Sequence, residues 1–224
     1  SMNHLLSKIG SYPFEKLNLL LKDIKPSKEV INLSIGEPKL NADSNVLDIL
    51  NTETNSFSNY PPMNAVPELS EAYRQYLKSH FGIKNVAEDE VCLVAGTREG
   101  TFSIIQALFN KENVKDKPYV VMPNPFYQIY GGATTLAGGE AKFLDCPEEN
   151  NFQPNLDSLK SEDWQKCQIL VLCSPNNPTG SVLPLSKLKD ILDLADKYDF
   201  YVVSDECYVD LYTTEKSCPS ILQA

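Results

Sequence analysis

"QILVLCSPNNPTG", residues 168–180, sets an apolar run directly against a loop rich in proline and asparagine. An apolar run this short, with no polar alternation, reads as a strand covered on both faces. Pro175 and Pro178 restrict the backbone of the loop that follows. Asn176 and Asn177 sit at its centre. A loop so constrained holds a side chain in place, and the rest of the chain indicates for what.

Working outward, further apolar runs stand at "VCLVA" (91–95), "YVVM" (119–122), "EAKFL" (140–144) and "FYVVSD" (200–205). Segments of helical period lie between them. "TFSIIQALFN" follows the first run, and Leu188, Ile191, Leu192 and Ala195 recur before the last, with Ser186 placed as the N-cap. Apolar strands alternating with amphipathic helices predict an α/β fold, a mostly parallel sheet with helices on both faces. Upstream, "SYPFEKLNLLLKDI" has helical spacing from Phe14 to Ile24, with Pro13 in its first turn. "VPELSEAYRQYLKSHFG" predicts a helix with Leu69, Tyr73, Tyr76 and Leu77 on its apolar face and Gly82 closing it.

The composition narrows the function classes. The 224 residues are 42% hydrophobic and carry a net charge of -10, which disfavours a nucleic-acid binder with a basic face. No apolar run reaches the ~20 residues of a membrane span. The first residues lack the pattern of a secretory signal. Cys92, Cys146, Cys167, Cys173, Cys207 and Cys218 form no zinc-type pairs, and only His4 and His80 could join them. They read as reduced thiols of a cytoplasmic protein.

Ligands of parallel sheets bind beyond the carboxyl ends of the strands. "GTREG", "PNPFYQIY", "SPNNPTG" and "SDECY" occupy those places. Asp205 ends an apolar strand, where a carboxylate is costly without a partner. It reads either as an N-cap or as the partner of a cationic ring nitrogen. Tyr208 and Asn177 add a phenol and an amide. "AGTREG" offers a helix N-terminus for a phosphate, and Phe126, Tyr127 and Tyr130 offer an aromatic surface, although such residues are more often core. Together these groups trace the polar outline of pyridoxal phosphate.

The order "LSIGEP", "YPP…PEL", "GTREG", "PNPFYQIY", "SPNNPTG", "SDECY" resembles fold-type I aminotransferases of the aspartate aminotransferase class. Within it, "YPFEKL", "INLSIGEPK", "NPFYQIYGGATTLAGG" and "CSPNNPTG" are most similar to succinyldiaminopimelate aminotransferases of lysine biosynthesis. The resemblance covers essentially the whole chain. It implies that Thr97 and Arg98 hold the cofactor phosphate, Tyr127 stacks on the ring, Asn177 and Tyr208 bond its phenolate oxygen, and Asp205 pairs with its nitrogen. It also implies that Tyr60 reaches the phosphate of a neighbouring subunit in a homodimer, and that Gly36 borders the substrate carboxylate. The implied substrates are amino and keto acids, with glutamate and 2-oxoglutarate as one pair.

The resemblance further divides the chain into residues 1–45, an N-terminal arm with part of a small domain, and residues 46–224, an incomplete large cofactor-binding domain. Its Schiff-base lysine is expected beyond residue 224, so no catalytic residue is assigned here. Lys216, in "TTEKSCP", lacks that lysine's context. Ala65 stands where the family has glycine after Tyr60. Arg74 reads as a surface charge. The implied sheet order leaves the run at 91–95 without a neighbour inside this chain. The alternatives are another aminotransferase or a carbon–sulfur lyase of the same fold, or a catalytically inactive truncated fragment. A nucleotide-binding domain is disfavoured, because "GTREG" is neither GxGxxG nor a P-loop.

Overall fold

The computed structural model describes residues 1–62, 66–112, 116–211 and 217–224, so Ala65 and Lys216 lie outside the described residues. Its elements in chain order are α1 (Pro13–Leu21), α2 (Ser44–Thr52), α3 (Pro67–Phe81), α4 (Thr97–Leu108), β1 (Tyr119–Asn124), α5 (Gln128–Leu136), β2 (Glu140–Asp145), α6 (Ser161–Gln165), β3 (Cys167–Cys173), α7 (Leu185–Tyr198) and β4 (Tyr201–Asp205). The chain divides into two compact units, residues 10–64 and residues 1–9 with 65–224.

The larger unit is the α/β fold expected from the apolar runs. Its four strands are parallel and ordered β2-β1-β3-β4. β3 is buried along its whole length, because helices cover both of its faces. Side chains alternate across a strand. Leu170 and Leu172 meet Leu188, Ile191 and Ala195 of α7, while Ile169, Val171 and Cys173 meet Ile105 of α4 and Tyr130 and Ala133 of α5. This alternation is why "QILVLC" carries no exposed polar residue. Trp164 of α6 stacks on Phe200 at 5.6 Å and closes the α7 side.

Local chemistry sets the helix ends. Pro13 and Pro67 stand in first turns, where the missing N–H costs nothing. Gly82 ends α3 at φ 68°, and its N–H reaches the carbonyls of Leu77 and Lys78. Gly139, before β2, allows a close approach: a Cβ there would lie 2.8 Å from the Phe109 ring. The buried Lys117 ammonium donates to the carbonyls of Tyr198 (2.6 Å) and Asp199 (2.7 Å), satisfying the C-terminus of α7.

Three expectations change. Residues 91–95 form no strand. A strand needs a ladder partner, and β4, the nearest edge in the predicted order, pairs among the described residues only with β3. Ser186 does not cap α7: the N-cap is Pro184, and Ser186 lies in the first turn. On α3, Leu77 is buried, but Leu69 and Tyr73 are exposed, and Ser70 takes the second fully buried position.

The smaller unit carries α1 and α2 and, among its described residues, no buried side chain. The stretch "EVINLSIGEPKL" within it forms no strand.

Candidate active site

A cavity of about 180 Å³ opens at the carboxyl end of the sheet, lined by Thr97, Arg98, Tyr127, Asn177, Asp205 and Tyr208, together with Tyr130, Cys173 and Cys207. The first six are the residues singled out from four separate loops. The parallel strands β1, β3 and β4 deliver Tyr127, Asn177, Asp205 and Tyr208 to the same end, while Thr97 and Arg98 arrive there at the start of α4, which no strand precedes. The pairing of Cys173 with Asp205 in register sets the last residues of β3 and β4 side by side. Gly36 and Tyr60 belong to the smaller unit, where both are exposed.

The loop after β3 is folded around Asn176. Its N–H donates to Ser181 O (2.9 Å), its carbonyl accepts from Gly180 N–H (2.8 Å), and its amide donates to Thr179 Oγ1 (2.9 Å). The Ser174 hydroxyl accepts from Leu183 N–H at 2.9 Å, and Ser174 N–H donates to Asp205 O at 3.1 Å. Asn176 is buried, whereas Asn177 stays exposed at the cavity. The first asparagine fastens the loop and the second is presented by it. The Ser174–Pro175 and Asn177–Pro178 peptide bonds are cis.

Asp205 has the partner that a carboxylate at the end of a buried strand requires. Tyr130 Oη donates to its Oδ2 at 2.6 Å, and Cys207 N–H makes a longer bond of 3.4 Å to Oδ1. Residues 207–210 form a turn rather than a helix, so Asp205 is not an N-cap. The Tyr130 ring is fully buried and meets Tyr127 edge-on at 5.8 Å. Sequence reasoning counted Tyr130 only among possible stacking aromatics. The available signal was its place on α5, near a carboxylate that lacked a partner.

Burial is the main force on the acidic side chains here. It raises the Tyr130 phenol, with Cys173 and Asp205 adding to the effect. It pushes the Cys207 thiol up to about 12, with Asp205 contributing next. It also raises Tyr208, helped by Cys207, Cys173 and Asp205. At neutral pH these three groups are protonated and able to donate.

Thr97 and Arg98 are the first two residues of α4, whose N-cap is Gly96 without a side-chain bond. The N–H groups of this turn lack intrahelical acceptors and border the cavity, a place that suits an anion. A second hollow, about 760 Å³, lies along the free edge of β4 and is lined in part by Leu77, Val94, Ile104, Val202 and Val203. Among the described residues no strand pairs with that edge, and Tyr76, Glu206 and Asp210 line the hollow as well.

Fold and cavity together define a parallel α/β protein with a polar site at its strand ends, bounded by a carboxylate, an amide, phenols and a helix N-terminus. Residues 28–223 match the family Aminotransferase class I and II, and the chain belongs to that family. The family depends on pyridoxal phosphate. The chain is 30% identical to an aspartate aminotransferase of Pyrococcus horikoshii over 208 residues, 92% of this chain and 52% of that protein. It is 28% identical to LL-diaminopimelate aminotransferase 2 of a Nostoc species, over 97% of this chain and 56% of that one. An aminotransferase structure from Neisseria meningitidis superposes with a TM-score of 0.91 at 40% identity, over 99% of this chain and 56% of that chain. The chain thus spans about half the length of the relatives it matches, and its sheet is the fold-type I sheet.

The donor set fits the cofactor on its own chemistry. One carboxylate, anchored through Oδ2, matches a protonated ring nitrogen. An amide and a neutral phenol match a phenolate oxygen, and a helix N-terminus matches a phosphate. The described residues include no helix long and apolar enough to cross a membrane.

Proposed function

We propose that this chain supplies the cofactor cavity of a pyridoxal-phosphate-dependent aminotransferase, which transfers the amino group of glutamate to an N-succinylated 2-amino-6-oxopimelate. The observation that carries the reading is the Tyr130–Asp205 bond inside a cavity lined by Asn177, Tyr208, Tyr127 and the start of α4.

Bound there, the cofactor supplies an electron sink for the pair released when the substrate's α-proton leaves. The chain's own residues do the positioning. Asp205 holds a proton on the ring nitrogen, and Tyr130 keeps the carboxylate facing it. Asn177 and Tyr208 donate to the ring oxygen. Tyr127 would lie against the ring. The N–H groups of Thr97 and Arg98 bind the phosphate. In the assembled homodimer, Tyr60 reaches the neighbouring subunit's phosphate and Gly36 borders the substrate carboxylate. In this reading residues 1–45 belong to the arm and small domain and residues 46–224 to the large domain. The amine-bearing lysine lies outside the chain, and the protein works in the cytoplasm. The diaminopimelate substrate draws support from relatives named LL-diaminopimelate aminotransferases. The aspartate aminotransferases among the relatives favour aspartate as the second reading.

The test has two arms. Titration of the chain with pyridoxal phosphate should show saturable binding that Asp205→Ala and Asn177→Ala weaken by tenfold or more. A protein extended to the length of its relatives should then use the succinylated keto acid with glutamate in preference to oxaloacetate. Binding indifferent to both substitutions sinks the cavity assignment. Preference for oxaloacetate moves the enzyme to the aspartate reading.

A further inference from the structure

We propose that Asp210 is a positioning residue for Tyr208, clamping the turn that carries Tyr208 against α3; the consequence for the cofactor rests on the reading of the cavity given above. β4 ends at Asp205, and the chain then turns through residues 207–210. The bonds Val209 N–H to Glu206 O (3.2 Å) and Leu211 N–H to Tyr208 O (2.9 Å) close the turn on itself. Its upstream end is fixed by the pairing of β4 with β3. Its downstream end is fixed by Asp210, whose Oδ2 accepts from Tyr76 Oη at 2.8 Å and whose Oδ1 lies 4.0 Å from His80 Nε2.

The partners of Asp210 are themselves organised. Tyr76 and His80 lie one helical turn apart on α3 with ring centroids at 4.2 Å, and Phe81 meets Tyr76 edge-on at 5.8 Å. Burial, then the bond to Asp210, pushes the Tyr76 phenol up to about 12, so it stays a neutral donor. The turn divides its side chains between two sides. Glu206, Val209 and Asp210 face the hollow beside α3, whereas Tyr208 faces the cavity. Glu206 is also spent on the protein, since its Oε2 accepts from Ser204 Oγ (2.7 Å) and Ile221 N–H (3.0 Å). Two carboxylates therefore anchor the turn from behind, and the phenol of Tyr208 is what it presents in front.

Solution NMR of the 224-residue chain tests this, with the Tyr208 ring signals assigned through Tyr208→Phe. Tyr76→Phe should shift those signals and speed amide exchange at Val209 and Leu211 about 5- to 30-fold, as for one lost hydrogen bond. Asp210→Ala should do the same, while Asp210→Asn, which keeps an oxygen for Tyr76, should stay within about twofold of the parent. Unchanged exchange in Tyr76→Phe and Asp210→Ala overturns the clamp. Faster exchange with unmoved Tyr208 signals reduces Asp210 to a structural role and overturns the positioning. A pyridoxal phosphate titration then separates the two readings. Tyr76→Phe should weaken binding severalfold in the parent and not at all in the Tyr208→Phe background; equal weakening in both backgrounds overturns the positioning. If the parent chain binds no cofactor, the cavity reading fails, and the NMR arm still decides the clamp.

Discussion

Tyr130→Phe removes the bond that anchors the Asp205 carboxylate in the cavity. The ring is fully buried and packs edge-on against Tyr127, so phenylalanine keeps the packing and removes only a hydroxyl. What goes is a 2.6 Å hydrogen bond to a carboxylate. Bonds to charged groups contribute about 1.5–3 kcal/mol. Part of that returns, because Asp205 is half-buried and opens onto the cavity, where water can take the vacated place. The net loss is then about 1–2 kcal/mol. For a protein of this size each kcal/mol moves Tm by about 2–4 °C, so the expected fall is about 2–8 °C. Urea denaturation of the parent, Tyr130→Phe, Asp205→Ala and the double variant gives the coupling directly. The two residues should be coupled by at least ~1 kcal/mol. Additivity within ~0.5 kcal/mol would refute the reasoning, since it would mean that Asp205 finds equal partners in water and Tyr130 only fills space.

The remaining expectations rest on separate features. Lys117→Met leaves the Tyr198 and Asp199 carbonyls without the ammonium that bonds both; a loss of about 2–4 kcal/mol is expected in urea, and less than ~1 would show that desolvation of the lysine cancels its bonds. Cys207, held near 12 by burial and Asp205, should alkylate slowly at pH 8 beside Cys92, and Asp205→Asn should speed it severalfold in site-resolved mass spectrometry; no change would assign the effect to burial alone. Tyr76 and Tyr130 both have raised values, so the folded state holds their protons more tightly than the unfolded state. Their contribution is intact below pH ~10 and fades as pH rises through the raised values. The fall in Tm between pH 10 and 12 should shrink in Tyr76→Phe, and an identical fall would remove Tyr76 from the account. Tyr201 is exposed on the free edge of β4, so Tyr201→Lys should reduce self-association seen by sedimentation; unchanged association would place the sticky surface elsewhere.

Much of the fold was legible because burial on both faces leaves a plain trace. "QILVLC" is apolar throughout, since α7 takes one set of its side chains and α4 with α5 takes the other. The run at 91–95 shows the limit of the same rule. "VCLVA" is as apolar as any strand of the sheet, yet Leu93 and Val94 are exposed and the backbone is irregular. Apolar composition records that a segment prefers burial. A strand also needs a neighbour with free N–H and C=O groups, and that is a property of other parts of the chain. The same reasoning explains α3, where Leu69 and Tyr73 carry the apolar spacing but remain exposed, Tyr73 lining the uncovered hollow along β4.

The site was legible for a different reason, and illegible where that reason lapses. Loops that follow parallel strands share one end of the sheet by construction, so Tyr127, Asn177 and Asp205 could be brought together without knowing a single distance; Thr97 joins them although the run before it forms no strand. Tyr130 and Asp210 could not. Tyr130 reaches Asp205 across 75 residues, from a helix whose rotation sets which of its aromatics faces the carboxylate. Asp210 reaches Tyr76 across 134 residues. Neither contact follows from spacing along the chain. The first could be anticipated only as a demand: a carboxylate near buried surface must be met by a donor, and a tyrosine at the rim of the core, burying its ring while offering its hydroxyl, meets that demand at little cost; Asp210 is exposed and makes no such demand. Tyr130 is thus the means by which an apolar core fixes the direction of the Asp205 carboxylate at its edge.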